Sequence, residues 1–298
     1  MPAASRPALS RRNALSVPDI SARIARLFVY PIKSCAGVEL GEAVLTETGL
    51  DLDRAWMVVD EAGVYVTQRE LPRMALVKPQ LKIHEVVLRA PGMLALHLQI
   101  DAVEEPVRVR IWDDEVSAYD MGPVAAQWFS DFLGRKLRLV RFDPDHRRLS
   151  NRKWTGDVEA LNQFNDGFPL LVVGQASLDL FNAKLAAQRH APVGMERFRP
   201  NIVLSGIEAH DEDRVAMFDV AADQLVRLLA VKPCARCPIP DIDPATAETD
   251  PAIGATLRTY RSNELLKGAI SFGMNLVIER GIDQTLIVGQ AVSASYRF

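Results

Sequence analysis

Arg23-Ile24-Ala25-Arg26-Leu27-Phe28-Val29-Tyr30-Pro31 is the stretch on which the fold class turns. Its β-branched and aromatic residues read as a strand, and Pro31, which has no N–H to give a ladder, ends it. The same grammar continues downstream. Trp56-Met57-Val58-Val59-Asp60 and Val64-Tyr65-Val66-Thr67 flank Glu61-Ala62-Gly63, a three-residue loop whose glycine supplies the positive φ of a hairpin. Further strands are predicted over 80–88, 94–99 and 106–112. A helix is predicted over 123–133, opened by Pro123, presenting Trp128, Phe129, Phe132 and Leu133 as its apolar face, and stopped by Gly134.

The second half repeats the pattern. Pro169-Leu170-Leu171-Val172-Val173 reads as a strand, followed by a helix over 177–188 with Ser177 as N-cap and Leu180, Phe181 and Leu185 facing inward. Strands follow over 201–205, 224–229, 269–279 and 285–288, with a short helix over 255–261. Many short strands, few helices and no βαβ alternation predict a mainly β (α+β) chain built from two β-barrel-like domains. The expected units are a disordered tail over 1–21, a β-rich domain over 22–145 and a second β domain over 146–298. Between them, Arg135, Lys136, Arg138, Arg141, Arg147, Arg148, Arg152 and Lys153 make a basic stretch, read as a solvated connection, with a docking patch for an acidic electron-transfer partner as the alternative.

Composition narrows the function classes. The chain has 298 residues, 48% hydrophobic and 24% charged, enough for two cores. A formal charge of -3 gives no field to gather nucleic acid or an anionic membrane, so neither is expected as a partner. No run approaches the roughly 20 apolar residues that span a bilayer, and no N-terminal segment has the apolar centre of a signal peptide. Three cysteines are too few for a disulfide scaffold, and an odd number suits a reducing compartment, so the expected location is cytoplasmic.

Cys234-Ala235-Arg236-Cys237 precedes the stiff run Pro238-Ile239-Pro240-Asp241-Ile242-Asp243-Pro244. The neighbouring Arg236 favours a thiolate, the form that binds soft metals. A zinc site lacks its second ligand pair, a thioredoxin-type dithiol lacks its following helix, and an iron–sulfur cluster lacks a fourth cysteine. A single thiolate on a cofactor-borne metal needs one cysteine only. Spacing alone leaves that reading level with two small buried cysteines.

An ordered set of motifs breaks the tie. Tyr30-Pro31-Ile32-Lys33-Ser34-Cys35, Asp53-Arg54-Ala55-Trp56, Thr67-Gln68-Arg69, Asp166-Gly167-Phe168-Pro169, Phe198-Arg199-Pro200-Asn201, Cys234-Ala235-Arg236-Cys237, Asp243-Pro244 and Phe272-Gly273 together resemble the MOSC-domain family over about residues 22–296. That family is named for the C-terminal domain of molybdenum cofactor sulfurase, and the resemblance is to its amidoxime-reducing branch. It implies an N-terminal β-rich domain and a MOSC β-barrel with a molybdopterin cofactor between them. Cys237 matches the catalytic position whose sulfur binds molybdenum. Lys33, Ser34, Arg69, Asn165, Asp166, Gly167, Phe168, Arg199, Ala235, Arg236 and Asn275 match positions that contact the pterin or its phosphate. The chemistry suits those roles, since Lys33, Arg69 and Arg199 are cations for a phosphate dianion and Gly167 lets backbone N–H groups approach an anion.

The implied activity is reduction of N-hydroxylated compounds such as hydroxylamines, amidoximes or hydroxylaminopurines. Its electrons would come from a separate flavoprotein, ferredoxin or cytochrome-type donor, because the chain ends at Phe298 without the ferredoxin domain of some bacterial relatives. The alternative is a carrier of molybdopterin or of a Cys237 persulfide. Ala235, Asn275 and Pro238-Ile239-Pro240-Asp241 depart from the residues of close relatives and leave the substrate open. Cys35 is read as a small buried hydrophobe and Trp56 and Trp128 as core. His210-Asp211-Glu212-Asp213 resembles the family's acidic loop and is read as a solvated turn.

Overall fold

A computed structural model describes residues 18–102 and 105–297. Seven strands close into a barrel: Ile202–Ser205, Leu170–Gly174, Ser271–Arg280, Val226–Ala235, Val215–Val220, Ala291–Tyr296 and Ile20–Val29, the last pairing back onto the first. Closure leaves no strand edge open, the usual reason a small barrel is stable against edge pairing. All pairs are antiparallel except Leu170–Gly174 with Ile202–Ser205, which the helix Gln175–Ala187 connects as a single βαβ crossover. The chain is therefore mainly β as expected, with four α-helices among the described residues.

The opening strand shows how the barrel is filled. Ile20, Ala22 and Ile24 alternate inward, and a bulge between Ile24 and Arg26 resets the register so that Leu27 and Val29 continue the same inward row. Phe28 and Tyr30 then point to the outer face, where they join Phe181 and Leu185 of the crossover helix and Ile253 and Leu257 of the helix Ala252–Arg258. Each such fully buried side chain contributes about 1.5–3 kcal/mol. The strand at the start of the chain thus lies in the sheet of the second half. Of the tail expected over 1–21, residues 1–17 lie outside the described residues, while Ile20 and Ser21 already pair with Ala294 and Ser293.

The remaining N-terminal residues form smaller sheets. Trp56–Val59, Arg138–Phe142, Asp114–Asp120 and Pro106–Ile111 make a four-stranded sheet, and Lys78–Leu81, Glu85–Arg89 and Leu96–Gln99 a three-stranded one. Between them sits the helix Gly122–Leu133, which buries Trp128, Phe129 and Phe132 and ends on Gly134 at φ 69°. No helix among the described residues is long and apolar enough to cross a membrane.

Several local expectations change. The predicted strand over 80–88 is a hairpin whose turn is Lys82-Ile83-His84. The strand expected over 224–229 runs on through Pro233 to Ala235, because bulges at 230–232 and 233–235 spare the ladder a proline N–H. Ser177 is not an N-cap: it lies inside the helix, fully buried, with its hydroxyl on the Glu212 carboxylate. Leu180 faces solvent. The basic stretch is only partly a solvated connection. It holds the strand Arg138–Phe142, and Arg148 is buried with its guanidinium on Asp114, Asn162 and the carbonyls of Gln163 and Asn165.

Candidate active site

One cavity of about 450 Å³ collects Lys33, Ser34, Arg69, Asn165, Asp166, Gly167, Phe168, Arg199, Ala235, Arg236, Cys237 and Asn275, all twelve residues singled out from the sequence. Three segments bring them together. The first is the turn after the opening strand. Lys33 donates its backbone N–H to Trp56 O at 2.8 Å and its Nζ to Phe164 O at 2.9 Å and Asp166 Oδ1 at 2.5 Å. Burial pulls the Lys33 ammonium below its ordinary range, and Asp166 opposes that. Ser34, at φ 69°, turns the chain beneath it.

The second segment is the loop 163–168, pinned from behind. Arg148 grips its carbonyls, and Asn165 is a structural tie as well as a lining residue, with its side-chain nitrogen on Asp53 Oδ2 at 3.3 Å and its oxygen on the Gln163 N–H at 3.1 Å. Gly167 has open space where a Cβ would stand. Arg199 completes this side. Its Nη1 donates to Cys35 O at 2.6 Å and its guanidinium stacks 4.2 Å from the Tyr30 ring, with Arg54 at 4.4 Å over the same ring. Burial and the Arg54 charge lower Arg199 to about 10, so it stays cationic at neutral pH.

The third segment is the end of the long barrel strand. Arg236 receives support from three directions: its backbone N–H meets Ile270 O at 2.9 Å, Nη2 meets Phe198 O at 2.9 Å and Nη1 meets Cys234 Sγ at 3.1 Å. Its Nε is buried without a partner among the described residues. Cys234 and Cys237 are half-buried free thiols, whereas Cys35 is fully buried and its thiol is pushed up to about 12 by burial, as a packing residue should be. Asn275 ties its strand to the neighbour through Lys232 O at 3.1 Å.

Behind this strand end lies the segment His210–Asp213, and here the expectation of a solvated turn fails. Glu212 is fully buried and its carboxyl is raised to about 7, mainly by burial. Asp213 pairs with Arg261, whose Nε donates to Ser271 O at 2.9 Å; Ser271 is the barrel partner of Ala235. The acidic loop therefore braces the strand that carries the cysteines.

Sequence reasoning missed Lys232 and Arg54, both lining the cavity. Lys232 lies over the Trp154 and Phe168 rings at 5.2 and 5.7 Å. Arg54 stood within a quoted motif and Lys232 two residues before Cys234, but neither spacing showed direction. The lining now holds six cations, Lys33, Arg54, Arg69, Arg199, Lys232 and Arg236, against one carboxylate, Asp166. Such a balance suits a polyanionic ligand, and the volume suits a small organic molecule. Among the described residues no three His, Cys, Asp or Glu side chains converge as a metal site. The orphaned Arg236 Nε and the surplus of cations fit a phosphorylated pterin.

Two family descriptions match in order, the MOSC N-terminal beta barrel domain over residues 21–136 and the MOSC domain over 160–293. Mitochondrial amidoxime-reducing component 1 of Mus musculus is 34% identical over 284 residues, 90% of this chain and 81% of that protein. Mitochondrial amidoxime reducing component 2 of Homo sapiens is 32% identical, with 86% and 79% covered. Molybdenum cofactor sulfurase of Bos taurus is 29% identical over 89% of this chain but only 31% of its own length. With both domains present in order and relatives matched over most of their length, this chain belongs to the MOSC-domain family.

Proposed function

We propose that this protein is a molybdenum-cofactor-dependent oxidoreductase that reduces N-hydroxylated compounds with electrons from a separate redox protein. The observation that carries the reading is a cation-lined cavity with Cys237 at its barrel end. Arg199, Arg236, Arg69 and Lys232 would hold the cofactor's phosphate and pterin, with Ser34, Asn165, Gly167, Phe168, Ala235 and Asn275 forming the walls, and Lys33 with Asp166 the floor. Cys237 would be the protein's ligand to the metal. The bound cofactor would supply a two-electron redox centre. The overall change is R–NH–OH + 2 H⁺ + 2 e⁻ → R–NH₂ + H₂O: the N–O bond breaks, nitrogen is reduced, and the donor protein, of flavoprotein, ferredoxin or cytochrome type, is oxidised. The protein's share is to fix charge and orientation in advance, so that binding energy is not spent on rearrangement. A reducing compartment, the cytoplasm, suits three free cysteines.

The test is elemental analysis and pterin fluorescence of the protein and of Cys237→Ser, followed by turnover of an amidoxime with a chemical reductant. The expected result is stoichiometric molybdenum in the parent and loss of at least nine-tenths of it, and of turnover, in the variant. Undiminished molybdenum in Cys237→Ser would remove Cys237 as ligand. Likeness to a molybdenum cofactor sulfurase favours a second reading, a carrier of molybdopterin or of a persulfide sulfur. A stable one-sulfur mass increase at Cys237 without turnover would select it.

A further inference from the structure

A second cavity of about 450 Å³ opens beside the first. Arg199 and Ile239 line both, so the two spaces share a wall that starts two residues beyond Cys237. The segment Thr67-Gln68-Arg69 serves both as well: Thr67 and Arg69 face the first space and Gln68 the second. The far side is held open. Arg197 donates to the carbonyls of Pro240 and Asp241 at 3.1 and 3.2 Å and to Asp243 Oδ2 at 2.8 Å, which fixes the loop that follows Cys237.

Ala75, Pro79 and Ile242 are buried in its walls, and six polar or charged side chains interrupt them: Glu39, Lys78, Arg197 and Arg199, of which Glu39, Arg197 and Arg199 already have protein partners, together with Gln68 and Glu196. Gln68 is 3% exposed, and its Nε2 has no hydrogen-bond partner among the described residues. A buried amide donor without an acceptor is costly and marks a place where a ligand atom recovers free energy. Glu196 brings a carboxylate, an acceptor in need of donors, to the same space. The two spaces meet at Arg199 and Ile239, the latter two residues from Cys237.

We propose that this second cavity is a subsite for the body of the substrate, and that it selects N-hydroxylated compounds with an apolar ring carrying a carboxamide-like group, acceptor plus N–H donor, remote from the N–O bond. The ring lies against Ala75, Pro79 and Ile242, the acceptor meets Gln68 and the donor meets Glu196. The inference rests on the reductase reading above.

The test compares benzamidoxime with its 4-carboxamide derivative, and, separately, the two corresponding amidines, which have no N–O bond and bind without turnover. Calorimetric titration of the amidines into molybdenum-loaded protein should show the carboxamide bound about tenfold tighter. Ala245→Trp, which fills the cavity from its exposed rim, and Gln68→Leu, which removes the donor, should each abolish that preference, with molybdenum content unchanged in Ala245→Trp. The KM values of the two amidoximes should differ by the same factor at equal kcat. Equal binding of the two amidines, or a preference that survives Ala245→Trp, overturns the subsite even if both amidoximes are reduced. A tenfold preference with no N–O reduction by the loaded protein overturns the assignment of the ligand as substrate, and the reductase reading with it.

Discussion

The two walls of the first cavity carry similar cations and hold them in opposite ways. On the N-terminal wall the Lys33 ammonium already sits on Asp166 at 2.5 Å, and Arg69 rests 4.9 Å over the Trp112 ring with its Nε on Thr67. On the barrel wall the Arg236 guanidinium meets a sulfur, a carbonyl and the Phe198 ring, and Lys232 two rings, with no carboxylate on either among the described residues. An incoming anion must compete with a carboxylate at the first wall and with none at the second, where a charge-assisted hydrogen bond is gained outright. The difference teaches where an anion would gain most: at the end of the barrel strand, next to Cys237.

That wall depends on what stands behind it, and pH exposes the dependence most strongly. Glu212 is raised from 4.5 to about 7 by burial, so its contribution to stability is present below about pH 4.5 and lost as pH rises through 7. His210 is lowered from 6.5 to about 4, again by burial first, with Arg261 and Lys184 adding to it, so its contribution is present above 6.5 and lost as pH falls through 4. Between pH 4.5 and 6.5 the two slopes oppose each other. The Glu212 contribution amounts to about 3 kcal/mol over its full range, and that of the more exposed His210 to less, because solvent screens it. Denaturant unfolding of the parent should therefore be nearly flat in that window as far as these groups act. Glu212→Gln should become more stable as pH rises, and His210→Phe less stable. Parallel profiles for all three proteins would mean that the loop does not brace the barrel wall through these groups.

The asymmetry itself is probed at the cofactor. Arg236→Met removes a cation that no carboxylate compensates and should speed loss of pterin on gel filtration roughly ten- to hundredfold, the cost of a hydrogen bond between charged groups. Arg69→Met, on the wall where the guanidinium is already stacked, should cost less than tenfold. Equal losses would erase the distinction between the walls.

How much of this was legible in the chain depends on the range of the interaction. The strand around Leu27 could be read because Pro31 ends it, and the helix carrying Trp128 because Gly134 stops it. That the first strand closes a barrel with residues 202–205 and 291–294 could not, since pairing over such separations leaves no local pattern. The twelve cavity residues came from an ordered set of motifs, not from spacing. Lys232 was hidden by the bulge at 230–232, which shifts the side-chain alternation that a regular strand would show. Ser177 and Glu212 looked like a cap and a surface acid because each is polar; only the fold brings them within 2.7 Å in a buried place.

The smallest effect is the most discriminating, because its sign differs between the walls. Asp166→Asn frees the Lys33 ammonium from a carboxylate while leaving Phe164 O as a hydrogen-bond acceptor at 2.9 Å. Lys33 then has charge to give an anion, so inorganic phosphate should bind the cofactor-free protein about threefold tighter, less than 1 kcal/mol because part of the charge is offset by the cost of burying it. Isothermal titration at constant ionic strength reads this directly. The same titration with Arg236→Met should show weaker binding. A carboxylate that served the ligand instead of the lysine would give the opposite result, with Asp166→Asn binding phosphate no better than the parent, and the N-terminal wall would then have to be counted as open in the same sense as the barrel wall.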